Sequence, residues 1–201
     1  MAQLNFNAIG HLFQEGLCNV HAAYETALAS LTDRLSVIED QYINDLAAVR
    51  DGADPYIRDD DGTELYTYEQ AYEINLSNAE TARRVGQIAF IVILHHFWER
   101  QCNRWMGTTD YKADAAYEFL KARGLTVDRA ALEILRKACN TVKHDSQTLH
   151  KTNPELFYPA AGSRKTPNYE ETLIVDDAFL DSLFDAVRNS GPNISSTAKL
   201  W

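Results

Sequence analysis

Two long runs of apolar residues at helical spacing are the strongest constraint on what this chain can fold into. In the first run, apolar side chains recur every three or four residues from about His11 to about Arg50. A second run of this kind extends from about Tyr68 to about Met106. Because this spacing places side chains on one face of a helix, both runs predict long amphipathic helices. We expect the two helices to pack against each other in antiparallel orientation.

The stretch between the two runs predicts a small β-hairpin. Residues 51–64 contain two Asp-Gly pairs and Pro55, which are typical turn residues. Short β-compatible segments flank the second Asp-Gly pair, so the hairpin is expected near residues 56–66. The same acidic turn partly matches the pattern of a calcium-binding loop. The first and last ligand positions of that loop would fall on Ile57 and Tyr68, so no calcium site is predicted.

Shorter elements are predicted after Met106. In chain order they are a helix over about Tyr111–Arg123, a helix capped by Asp128 that reaches about His150, an irregular connection over residues 154–167, a strand or docked extended segment at residues 173–175, and a helix over about Asp177–Asn189 capped by Asp176 or Asp177.

The predicted fold is therefore an all-α antiparallel bundle with two long helices and two to three shorter ones. We expect a single domain over residues 1–201. Its long-helix core would cover about residues 11–150, and an irregular segment and a terminal helix would follow at about 151–201.

Charge is distributed unevenly along the chain. The 201 residues carry a net charge of −10. Residues 1–99 hold 5 basic and 16 acidic side chains, a net of −11, whereas residues 100–151 hold 10 and 6, a net of +4. This distribution excludes a nucleic-acid binder that is basic overall, but it permits a local site. An anionic ligand would be attracted to residues 100–151.

Several absences favour a cytoplasmic protein with no membrane partner. The first residues have neither the basic nor the long apolar region of a signal peptide. The longest apolar run, Ile88–Leu94, is far shorter than the roughly 20 residues that a membrane-spanning helix needs. The three cysteines are widely spaced and form no Cys-x-x-Cys pair, so we expect reduced thiols rather than disulfides or a structural zinc site.

Polar residues on the predicted helix after Asp128 form the only motif that suggests chemistry. Asn140 and His144 are four residues apart and therefore share a helix face. Arg136 lies one turn before Asn140, and Lys137 lies two turns before His144. Such a set suits a phosphodiester, because imidazole can accept and donate a proton near neutral pH while cations hold the phosphate. A polar cluster that complements the helix dipole would explain the same residues without any chemistry.

The spacing Asn-x3-His near the end of a helix, in a small helical bundle, resembles the HEPN superfamily. The motif of that family is an Arg, a polar residue that is often Asn, three further residues and a His. The resemblance implies a metal-independent endoribonuclease of a prokaryotic defence or toxin–antitoxin-type system, with RNA as the substrate and no cofactor. It also implies a homodimer in which two motifs face one composite site. By this resemblance the catalytic residues are His144 and Asn140.

The chain departs from the family motif at one position, where Cys139 stands in place of the Arg. A thiol cannot replace a guanidinium, so the phosphate would have to be held by other cations. The candidates in this chain are Arg136, Lys137 and Lys143, and an Arg of a second copy could also contribute. The same departure favours an alternative, a catalytically inactive HEPN-like module that acts as an antitoxin, immunity or sensor subunit. Such a module would bind a cognate protein partner.

A second group of polar residues lies in the second long helix. His95, His96 and Glu99 are close in sequence, but a di-metal helical bundle needs Glu-x-x-His pairs from two helices. We therefore favour a buried polar pair between helices, and no metal site is predicted. In HEPN-like bundles the helix before the motif helix also lines the groove, which makes His96, Glu99 and Arg100 secondary site candidates. Arg100 is assigned to substrate binding.

Overall fold

The computed structural model describes residues 7–159, 168–198 and 200, and part of the predicted irregular connection lies outside these ranges. The described residues form seven α-helices and one two-stranded antiparallel sheet, so the predicted all-α fold with a small hairpin is confirmed. In chain order the elements are α1 (Ala8–Arg50), β1 (Tyr56–Arg58), β2 (Glu64–Thr67), α2 (Tyr68–Met106), α3 (Ala113–Lys121), α4 (Arg129–His144), α5 (Thr148–Thr152), a 3-10 turn (Pro154–Leu156), α6 (Tyr169–Thr172) and α7 (Asp177–Ser190). Three of the five shorter helices, α3, α4 and α7, have two or more turns. None of the helices in the described ranges combines the length and apolarity needed to cross a bilayer.

The chain forms two compact units. One comprises the described residues up to Ala23 and from Gln87 onward, and the other comprises Tyr24–Gly86. In Tyr24–Gly86, α1 and α2 run antiparallel and are joined by the hairpin. The rings of Tyr42 and Tyr72 stack with their centroids 4.2 Å apart. The Asp59 carboxylate closes the hairpin turn by accepting a hydrogen bond of 2.8 Å from the backbone N–H of Thr63.

The other unit contains the large buried side chains. The ring of Phe13 on α1 stacks against Phe97 and meets Trp105 edge to face, with centroids 5.6 and 5.3 Å away. Gly191 lies so close to Phe13 that a Cβ would overlap the ring, so only glycine fits there. The apolar residues with almost no exposure in this unit include Leu17, Ile91, Leu94, Trp98, Leu120, Leu132, Leu135, Leu149, Leu173, Leu180, Phe184 and Val187.

The start of α4 was predicted correctly, but its end was not. The Asp128 carboxylate accepts a hydrogen bond of 3.0 Å from the backbone N–H of Ala131, as expected of a helix cap. The helix was expected to reach about His150, and this is wrong because Asp145 adopts a left-handed conformation with φ of 49°. The chain turns there, and residues up to 152 form the separate helix α5.

Among the described residues after α5, one isolated strand pairing and a cap at the last helix are observed. Leu173 pairs with Phe157 in an isolated antiparallel bridge, which places residues 173–175 as a docked extended segment. Of the two caps proposed for the last helix, Asp176 is the one observed, and its carboxylate accepts a 2.7 Å bond from the N–H of Phe179.

Candidate functional site

A polar stripe along α4 forms one wall of a cleft. The opposite face of this helix is buried, with Leu132, Leu135 and Ala138 almost fully covered. The stripe residues recur at steps of four, three and four and lie on one face, and they are Arg129, Glu133, Arg136 and Asn140. Helical spacing therefore separates the side chains that hold the core from the side chains that face the cleft.

The cleft has a volume of about 840 Å³, which is within the usual range of small-ligand pockets. Side chains from α2 and from the segment that leads into α3 complete its lining. Those residues are His95, Glu99, Tyr111, Lys112, Ala113, Asp114 and Ala115. All of them belong to the unit that contains the large buried side chains.

The two arginines of the cleft lining are each paired with a nearby carboxylate. The Arg136 guanidinium donates to Glu133, with the shortest N···O distance at 2.7 Å, and Arg129 donates to Asp114. The hydrogen bond to Glu133 raises the pKa of Arg136. Burial alone would raise the pKa of the Glu133 carboxyl, but the bonds from Arg136 outweigh it and hold the pKa below its ordinary value. The cleft is therefore charged but close to neutral, and a ligand phosphate would have to displace a carboxylate to engage Arg136.

Burial dominates the chemistry of the tyrosines near the cleft. The Tyr117 hydroxyl donates a 3.2 Å hydrogen bond to Glu133. Desolvation raises the pKa of Tyr111 and of Tyr117, since each phenolate would be formed away from water. Both phenols are protonated at neutral pH and can serve as hydrogen-bond donors.

His95, His96 and Glu99 lie together on α2. Oε2 of Glu99 is 2.8 Å from Nδ1 of His96 and 3.5 Å from Nδ1 of His95. His95 is only 6% exposed, and neither of its ring nitrogens has a hydrogen-bond partner. Desolvation lowers the pKa of His95 to about 4, even though the charge of Glu99 opposes that shift. These three residues form the only trio of His, Cys, Asp or Glu in the described part of the chain whose ligand atoms are close enough to share a metal ion.

The structure brings some of the predicted site residues together and separates others from them. Arg136, Asn140 and Glu99 all line the cleft. Lys143 and His144 are exposed at the end of α4 and do not line it, although His144 continues the polar stripe one turn beyond Asn140.

The remaining predicted residues lie outside the cleft lining. Lys137 donates a 3.2 Å hydrogen bond to the Thr152 hydroxyl on α5, and Arg100 and His96 are exposed on α2. Cys139, at the position of the expected arginine, is 1% exposed, and burial raises the pKa of its thiol to about 11.

Sequence reasoning missed several residues that line the cleft. Glu133 could have been recognised, because it stands three residues before Arg136 on the helix face already under consideration. Tyr111 and Asp114 could not, because they reach the cleft through the packing of α3 and the segment before it.

No family model, curated protein or solved structure matches this chain.

Proposed function

We propose that the protein is a HEPN-like endoribonuclease in which His144 transfers protons without a metal ion. The observation that carries this proposal is the polar stripe of α4, which lines the cleft as far as Asn140 and continues to the exposed imidazole of His144. A nucleotide bound in the cleft would place a neighbouring phosphodiester at the C-terminal end of α4, beside His144. A prokaryotic defence or toxin–antitoxin-type system in the cytoplasm is the proposed setting.

The proposed reaction is transesterification within the RNA strand. His144 accepts the proton of a 2′-hydroxyl, and the 2′-oxygen attacks the adjacent phosphorus. The bond from phosphorus to the 5′-oxygen breaks, and that oxygen leaves as a hydroxyl after receiving a proton. The products are a 2′,3′-cyclic phosphate and a 5′-hydroxyl end, so the reaction needs no water and no oxidant.

The cations that hold the phosphate would come from this chain and from a second copy of it. Lys143 is exposed beside His144, whereas Arg136 is held by Glu133. A second copy of the chain would bring another Lys143 and another His144 to the same phosphodiester, and the second imidazole could supply the proton to the leaving oxygen. The working unit in this proposal is therefore a homodimer.

RNA cleavage in the presence of EDTA tests the proposal. We expect the wild type to cut a single-stranded RNA to cyclic-phosphate ends and to leave the all-deoxy oligonucleotide intact. His144→Ala should lower the rate by about 10²–10⁴-fold, the usual contribution of a general acid or base. His11→Ala removes another exposed imidazole and should cleave like the wild type. A wild type that cuts no RNA, or a His144→Ala variant that cuts equally fast, would contradict the proposal.

A second candidate, an inactive HEPN-like binding module, is favoured by the environment of Cys139. This residue is almost fully buried where the motif has its arginine, and the nearest arginine of α4, Arg136, is bonded to Glu133. A module of this kind would bind a cognate protein as a regulator, antitoxin or sensor. It predicts that inducing the wild type or His144→Ala leaves bacterial growth and total RNA equally unchanged. Growth arrest that depends on His144 would exclude it.

A further inference from the structure

We propose that His95, His96 and Glu99 form a binding site for a zinc-like divalent cation at the edge of the cleft. This site goes beyond the proposed RNA cleavage and does not depend on it. The sequence favoured a polar pair at this place, because only one helix supplies the ligands. The structure adds an observation that a polar pair does not explain.

The geometry of the three side chains is close to that of a chelating site. One ligand atom from each residue lies within 4.8 Å of the other two. In a tetrahedral zinc site with bonds of about 2.0–2.2 Å, ligand atoms are roughly 3.3–3.6 Å apart. The 3.5 Å between His95 and the Glu99 carboxylate already meets this spacing. The 2.8 Å between His96 and Glu99 is shorter than this spacing, so these two side chains would move apart on binding the ion.

The unbonded imidazole of His95 is the independent observation that points to a ligand. Its ring is 6% exposed, and both nitrogens lack a hydrogen bond. Buried polar atoms in native proteins nearly always have a partner, because an unsatisfied one loses its bonds to water without replacement. The hydrogen bond between His96 and Glu99 accounts for those two side chains, whereas His95, 3.5 Å from the same carboxylate, makes no hydrogen bond. A cation between His95 and Glu99 would give the buried ring a bond.

The donor set indicates the class of cation. Two imidazole nitrogens and one carboxylate oxygen suit Zn²⁺, whereas Ca²⁺ and Mg²⁺ prefer oxygen ligands alone. Three protein ligands leave a fourth position open, as in catalytic rather than structural zinc sites. Because His95 and Glu99 both line the cleft, water or a polar group of a cleft ligand could occupy that position.

Zinc titration of the metal-stripped full chain tests this site. We expect calorimetry to show one Zn²⁺ per chain and Co²⁺ to give the visible absorption of a tetrahedral complex. His96→Ala and Glu99→Gln change side chains at or near the surface and should each weaken zinc binding by at least tenfold. Circular dichroism would confirm that both variants remain folded.

The matched control is His11→Ala. His11 and Glu15 form another helical His–Glu pair, with 3.7 Å between Nε2 and Oε2, and neither belongs to a trio of potential metal ligands among the described residues. Zinc affinity should be unchanged in this variant. The absence of stoichiometric zinc binding, or equal affinity in His96→Ala and the wild type, would overturn the proposal. Since RNA cleavage is assayed in EDTA, failure of one proposal leaves the other intact.

Discussion

At the scale of single residues, Cys139 stands where the resemblance calls for an arginine. Cys139 is almost fully buried, and burial raises the pKa of its thiol to about 11. A thiol with that pKa is almost entirely protonated near neutral pH, so it is a poor nucleophile and a poor metal ligand. Cys139 therefore behaves as a small apolar core residue.

The rate of reaction with a thiol reagent should distinguish the exposed cysteine from the two buried ones. Cys18 is exposed, whereas Cys102 and Cys139 are buried. At pH 8 only about one Cys139 thiol in a thousand is ionised, because the pH is about three units below the pKa. We expect the native protein to react rapidly with one equivalent of DTNB and the denatured protein with three. Cys18→Ser should abolish the rapid reaction in the native state, and rapid labelling of Cys139 in that variant would contradict the assignment.

Part of the candidate site followed from helical spacing, and part of it did not. The period of the α-helix was enough to place Arg136 and Asn140 on one face, and both line the cleft. Spacing could not show that Arg136 is held by Glu133 or that His95 is buried without a hydrogen bond. Those features depend on how α2, α3 and α4 pack, which involves residues far apart in sequence.

At the scale of elements, the end of α4 is controlled by one residue. Asp145 takes the left-handed conformation that usually falls to glycine or asparagine after a helix. Its carboxylate also accepts hydrogen bonds of 2.6 and 3.1 Å from the backbone N–H groups of Tyr169 and Glu170 at the start of α6. The helix was predicted to be too long because an aspartate is a weak stop signal in a sequence and its partners on α6 are remote.

Removing the Asp145 carboxylate should loosen the connection between α4 and α6. Asp145→Ala loses both hydrogen bonds that the carboxylate accepts. It also leaves an alanine, which has no polar side chain, in a left-handed conformation. We expect it to lower the free energy of unfolding by about 1–2 kcal/mol, the size of a lost helix cap. Asp145→Asn keeps an acceptor oxygen and tolerates the conformation, so its loss should be less than half as large. Urea denaturation measures both, and equal stability of Asp145→Ala and the wild type would show that the bonds contribute nothing.

At the scale of the whole molecule, the burial of apolar side chains is unequal between the two units. Among the apolar residues of Tyr24–Gly86, only Tyr24 and Ala79 are buried, while Val37 and Ile43 are among those that remain exposed. The sequence predicted the long helices in this region from their apolar periodicity. The periodicity could not show that much of the stripe would stay exposed, because burial depends on what packs against it.

Hydrogen exchange should therefore differ between the units. Backbone amides exchange through local opening, and a segment with few buried apolar contacts opens at a lower free-energy cost. We expect the amides of Tyr24–Gly86 to exchange at least tenfold faster than those of α4 and α7 when the protein is dilute. Equal protection of both units in dilute protein would show that the stability of Tyr24–Gly86 does not depend on apolar burial.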